Sequence, residues 1–107
     1  MIIKKVICHV KDGMDQTFST GQERWADLRE CKGFIAQYGG WSKDNVANII
    51  AFWNDYQSYD NFNNLDHDLI YKRTNQKESI ESINVRVEDI NVRDSMYGIF
   101  INLQQSG

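Results

Sequence analysis

A chain of 107 residues is about one domain long, enough to bury roughly two thirds of the surface its unfolded form exposes. Apolar residues at 41% and charged residues at 25% are ordinary globular usage, which argues against disorder, collagen-like and coiled-coil architectures. A formal charge of -3 provides no general attraction for phosphate backbones or anionic lipid, so neither nucleic acid nor a membrane is an expected partner. No apolar run approaches the roughly 20 residues of a membrane helix, and the lysines of Met1-Ile2-Ile3-Lys4-Lys5-Val6-Ile7 lie inside a short apolar stretch instead of before a long one. A cytoplasmic location is expected. With no proline, low-complexity run or internal repeat, residues 1–107 read as a single domain.

The first ten residues carry Ile2, Val6, Cys8 and Val10 on one parity and Ile3 and Ile7 on the other, the pattern of a strand covered on parts of both faces. Lys11-Asp12-Gly13 is a turn signal, and Met14, Phe18, Trp25 and Leu28 then recur at helical spacing. Gly33 ends that helix, and Phe34-Ile35-Ala36-Gln37-Tyr38-Gly39-Gly40-Trp41 reads as a strand whose two glycines predict a bulge or a close backbone contact. Ser42-Lys43-Asp44-Asn45 turns the chain into a second apolar run, Val46 to Trp53, completing a hairpin.

Beyond a connection at Asn54 to Gln57, Ser58 is the expected cap of a helix whose inward positions are Phe62, Leu65, Leu69 and Ile70, with Tyr59 beside them. Thr74-Asn75-Gln76-Lys77 ends it, and Ile83, Val85 and Val87 alternate with polar residues as a half-exposed strand. Tyr97, Ile99, Ile101 and Leu103 alternate again, allowing an extra C-terminal strand over residues 96–103. The fold class is therefore α+β with ferredoxin-like β-α-β-β-α-β order, an antiparallel sheet with two helices on one face. The other face would expose a large apolar patch, so a homodimer is expected.

Two cysteines without CxxC spacing make neither a zinc site nor a redox motif, and two distant histidines declare no metal site. His67, flanked by Asp66 and Asp68, is the candidate proton carrier, with its pKa expected to be raised by those carboxylates. Trp25, Trp41 and Trp53 are candidates to line a cavity for a flat apolar ligand, although core packing explains Trp25 as well. Tyr38 and Tyr71 could supply hydroxyls to it, Asn48 interrupts an apolar strand and could be a polar group aimed into it, and His9 at the end of strand one is a secondary candidate, the face of Asn48 and His9 depending on strand register. Arg24 with Glu23, and Lys72 with Arg73, are solvated helix surface. No nucleophile-base-acid triad, phosphate-cradling loop or dinucleotide fingerprint is visible.

The stretch Gly33-Phe34-Ile35-Ala36-Gln37 through Trp53-Asn54-Asp55, followed by Ser58-Tyr59, Phe62 and His67, resembles the antibiotic-biosynthesis-monooxygenase-like group of dimeric α/β-barrel proteins, and within it an uncharacterised bacterial branch. Trp53, Asp55, Tyr59 and His67 stand at matching positions, and the resemblance spans about residues 1–90. It implies two sheets packed into a barrel and a pocket in each subunit between sheet and helices, and some members oxidise polycyclic aromatic substrates with oxygen and no cofactor. The first expectation is therefore cofactor-independent oxidation of a small aromatic or quinol-type substrate, with Trp53 and His67 as the residues expected to carry it. Haem degradation is disfavoured, because strand one offers Cys8 and His9 in place of the asparagine of the haem-degrading branch. The alternative is a non-catalytic small-molecule binding or stress-response dimer of the same fold. No cofactor is expected in either case.

Overall fold

Strand parity decides the architecture of the computed structural model, which describes residues 1–91. Strand β1, Ile2–Val10, buries Ile2, Cys8 and Val10 and turns Ile7 and His9 outward. It lies in the middle of the sheet, antiparallel to β3, Val46–Trp53, on one side and to β4, Ile80–Asp89, on the other. Strand β2, Phe34–Lys43, pairs with β3 in a hairpin, giving the order β2-β3-β1-β4 of a split βαβ sheet. Asn45, at φ 62, takes the left-handed turn of that hairpin, and its side chain donates to Asp12 Oδ1 at 2.7 Å. The fold is that predicted from the sequence, whereas the extra strand proposed over residues 96–103 lies outside the described residues.

The segment after β1 starts as α1, Asp15–Gln22, and tightens into a 3₁₀ helix, Glu23–Glu30, where one continuous helix was expected. In a 3₁₀ helix residues three apart eclipse, so Trp25 and Leu28 line up over the sheet, following Gln22 at the end of α1. Gly21 lets this layer approach: a Cβ there would overlap the Thr74 carbonyl and lie 2.7 Å from Gln76 Cγ. Gly33, at φ +83, is constrained twice, since its left-handed backbone favours glycine and a Cβ would overlap the Ser58 side chain. Its carbonyl accepts the Asn54 N–H at 2.8 Å, tying the start of β2 to the end of β3.

The single helix expected after Ser58 is two. Helix α2, Tyr56–Leu65, is capped by Asp55, whose Oδ1 accepts the Ser58 N–H at 2.8 Å; Ser58 is the capped residue, not the cap. Asn63, Asn64 and Asp66, poor helix formers, bring α2 to an end, and Asp66 at φ -114 redirects the chain into α3, His67–Thr74. The redirection moves Leu65 and Leu69 out to 71% and 59% exposure and brings His67 and Ile70 inward in their place. Asn75, at φ 55, closes α3, and a short 3₁₀ turn, Gln76–Ser79, leads into β4. The core forms two clusters on the helical side of the sheet, one around Trp53 with Ile2, Leu28, Tyr59, Phe62 and Ile70, the other around Phe18 with Cys8, Val10 and Ala47. No helix among the described residues is long and apolar enough to cross a membrane.

Candidate functional site

Between the sheet and its helices lies a cavity of ≈ 290 Å³, close to the lower end of the roughly 300–1,000 Å³ typical of small-molecule sites. Val6, Ile49, Ala51 and Trp53 supply its floor from the sheet, and its walls come from Trp25 and Leu28 of the first 3₁₀ helix and from Phe62, His67 and Tyr71 of α2 and α3, whose rings adjoin that of Trp25. Ile83 and Val85 of the edge strand border it at 53% and 50% exposure, so this side is open to solvent. Across the first 3₁₀ helix, a more open groove of ≈ 560 Å³ runs along β2. Gln22, Trp25 and Gln37 line both hollows and form the partition between them.

His67 is set into this cavity by its place as the first residue of α3. Its ring lies 5.6 Å from Trp25, 5.5 Å from Phe62 edge to face, and 6.0 Å from Tyr71 in a stacked arrangement. Burial lowers the imidazole pKa from its ordinary value and the Lys4 charge lowers it further; Asp68, whose Oδ1 is 3.4 Å from Nδ1, opposes them weakly from an exposed position. The expectation of a raised pKa is therefore reversed. The flanking carboxylates stay outside the cavity, while the desolvating rings and the cation come from elsewhere in the chain. Asp66 turns instead towards Cys31, whose thiol lies 3.9 Å from its Oδ2.

Trp25 is fixed by a buried glutamine. Its indole N–H donates to Gln76 Oε1 at 2.9 Å, and Gln76 Nε2 donates in turn to the Phe18 carbonyl at 3.1 Å and to Gln22 Oε1 at 2.8 Å. Gln76 is only 3% exposed, so these bonds satisfy a polar group that would otherwise be costly to bury. Trp53 is 1% exposed and packs against Phe34, Tyr59 and Phe62 with centroids 5.0 to 6.0 Å away, so it is core and cavity floor at once. The Tyr71 hydroxyl has its pKa raised by burial and by the neighbouring Cys8 thiol, and burial pushes the Cys8 thiol itself up to about 11.

The structure thus brings Trp25, Trp53, His67 and Tyr71 together, and separates the other candidates from them. Asn48 pairs in register with Ile7 and Gly40, on the sheet face turned away from the helices. It is not aimed into the cavity. Its Nδ2 is inaccessible and has no hydrogen-bond partner among the described residues. Tyr38 and His9 lie on that same outer face, Tyr38 at 65% exposure against Phe52 and His9 between Val46 and Ser82. Trp41 is on the helical side but stands edge-on to Phe18 at 5.8 Å, outside the cavity lining. The bulges of β2 fall at Phe34/Ala36 and Trp41/Lys43, on either side of Gly39 and Gly40 and not at them.

Lys4, Cys8 and Gln76 were not singled out from the sequence. For Lys4 a signal existed: it shares the parity of Ile2, Val6 and Cys8, which places a cation on the buried face of β1. Its Nζ stands 5.7 Å over the Tyr59 ring, and burial lowers its pKa from the ordinary lysine value.

Several known proteins are similar to this chain. An uncharacterized protein of Bacillus subtilis, YdbC, is 41% identical over 91 residues, covering 81% of this chain and 76% of its own. Among solved structures, SnoaB, a cofactor-independent oxygenase from Streptomyces nogalater, superposes with a TM-score of 0.66 at 14% identity over 87% of this chain and 95% of its own. An antibiotic biosynthesis monooxygenase superposes with a TM-score of 0.67 at 13% identity over 86% of this chain and 100% of its own. At these identities the likeness establishes the antibiotic-biosynthesis-monooxygenase-like fold and no activity. Residues 2–87 match the model of the family described as Domain of unknown function (DUF4937), and the chain belongs to that family.

Proposed function

We propose that this protein is a cofactor-independent monooxygenase-like enzyme acting on a small aromatic or quinol-type substrate in the cavity between sheet and helices. The observation that carries the proposal is His67, a half-buried imidazole among three aromatic rings whose environment favours its neutral, proton-accepting form. The fold shared with SnoaB supports the same direction. In this scheme His67 removes a proton from the bound substrate, and the resulting electron-rich anion gives an electron to oxygen. Radical recombination forms a hydroperoxide at the same carbon. Loss of water then converts a CH₂ group to C=O, with one oxygen atom in the product and the other in the water. The partly exposed Val6 and Ile49 form the floor under the flat substrate, Trp53 supports that floor from the core, and Trp25 and Tyr71 border it.

Homodimerisation belongs to the same proposal. The sheet face away from the helices presents Ile3, Ile7, Val46, Ile50 and Phe52, half-buried or exposed in a single chain, and a second copy packed sheet to sheet would cover them. Sedimentation of wild type and Ile7→Lys tests this: the wild type should be a dimer and the variant a monomer, and a monomeric wild type would remove the idea.

The activity is tested by oxygen uptake against anthrone-like and quinol-like aromatics, with His67→Gln beside the wild type. Removal of a general base should lower turnover about 10²-fold or more while leaving the fold intact. Unchanged turnover rejects His67 as the base. Tight binding without uptake moves the protein to the non-catalytic binding alternative.

A further inference from the structure

Lys4 is the sole formally charged side chain lining the cavity among the described residues. Its neighbours in register, Ala51 on β3 and Val87 on β4, are apolar, and it makes no ion pair among the described residues. The other titratable groups lining the cavity do not balance it. Cys8 and Tyr71 hold their protons more tightly than usual, and His67 gives its proton up more readily than usual, so all three are neutral at neutral pH. The Tyr59 ring face lies 5.7 Å from its Nζ, and such a contact replaces only part of the hydration a buried ammonium loses. An apolar chamber with one uncompensated cation beside a neutral imidazole is complementary to a flat ligand carrying one negative charge.

We propose that the cavity binds an organic monoanion, an acidic phenol or enol in its ionised form, with Lys4 as its charge partner and the aromatic walls around its rings. This rests on the aromatic-substrate function proposed above and adds the charge of the ligand. Lys4 then holds the oxyanion that the ligand already carries, while His67 faces the same ligand to accept the carbon-bound proton of the proposed reaction; the sequence alone assigned no role to Lys4.

The test uses the hydroxynaphthoquinone lawsone, ionised at neutral pH, and its uncharged methyl ether, with binding followed by tryptophan fluorescence and by the visible spectrum of the ligand. Wild type should prefer the anion by about tenfold to a hundredfold, the range of a charge-assisted hydrogen bond. It should also lower the pKa of bound lawsone. Lys4→Met should bind the ether as well as wild type does while losing both the preference and the pKa shift, and Lys4→Arg should restore the preference. Equal binding of anion and ether by wild type overturns the proposal, as does a preference that survives in Lys4→Met. Oxygen uptake recorded on the substrate panel separates the two claims: charge preference without uptake leaves the anion site standing and removes the oxygenase, whereas uptake without preference removes only the role of Lys4. Failure of wild type to bind either probe also rejects the anion site.

Discussion

Replacing Gln76 by methionine, similar in length and without the amide, tests whether one buried side chain holds the helical layer and the cavity wall together. Three hydrogen bonds disappear: the indole of Trp25 loses its acceptor, and the Phe18 carbonyl and Gln22 Oε1 lose their donors. At about 0.5–1.5 kcal/mol net for each bond, the loss of stability is about 1.5–4.5 kcal/mol. Urea unfolding followed by circular dichroism measures it without relying on the fluorescence of the tryptophan being perturbed. The part due to the indole is isolated by a cycle with Trp25→Phe, which removes the donor and leaves a ring in place. The two substitutions should be coupled by about 0.5–1.5 kcal/mol. Costs that add to within about 0.3–0.5 kcal/mol would refute the bond as the link between α1, the first 3₁₀ helix and the turn before β4.

Titration of His67 by NMR gives a prediction whose sign differs between two variants. Burial and the Lys4 charge hold its pKa below the ordinary 6.5, so Lys4→Met should raise the observed value and Asp68→Asn should lower it. Because the folded pKa is depressed, this group's contribution to stability is fully present above pH 6.5 and is lost as pH falls through the folded value; a wild-type midpoint above 6.5 would contradict the assignment. Gly33→Ala and Gly13→Ala separate backbone strain from crowding, since both glycines have positive φ but only the first lies against Ser58. Both should lose about 1–3 kcal/mol from the backbone alone, with a larger loss at Gly33 that Ser58→Gly partly restores. Equal losses at the two positions in chemical denaturation would remove the Ser58 contact from the explanation.

The strands were legible in the sequence because a period of two is hard to disguise: the parities of β1 and the alternation of Ile83, Val85 and Val87 correspond to real faces. The same rule contained the position of Lys4, overlooked because a lysine in a strand is ordinarily solvent-facing. Asn48 was misplaced for a different reason. Which side of β3 faces the helices depends on its pairing with β1, where Ala47 meets Cys8 and Asn48 meets Ile7, and a strand with apolar residues on both parities does not announce that choice. The helices were less legible because tertiary packing overrides weak propensity. The interruption at Asp66 and the tightening after Gln22 each bring a ring over the cavity, His67 in one case and Trp25 in the other. The direction of the His67 shift was beyond local reading, since Asp66 and Asp68 adjoin it in the sequence while Lys4 and the burying rings meet it only in the fold.

Every helical segment over the sheet is short, at 8, 8, 10 and 8 residues for α1, the first 3₁₀ helix, α2 and α3. Helices below about 12–15 residues do not persist alone in water, so this layer exists only while it is docked, and the chamber beneath it disappears when docking fails. Occupancy is therefore coupled to cooperative unfolding. A compound at a hundred times its dissociation constant adds about 2.7 kcal/mol to the native state, and each kcal/mol moves the melting temperature of a domain of 60–100 residues by roughly 4–8 °C. The melting temperature of this protein is then a sensor for whatever fills it, and a thermal screen of small acidic aromatics can search for ligands before any turnover assay exists.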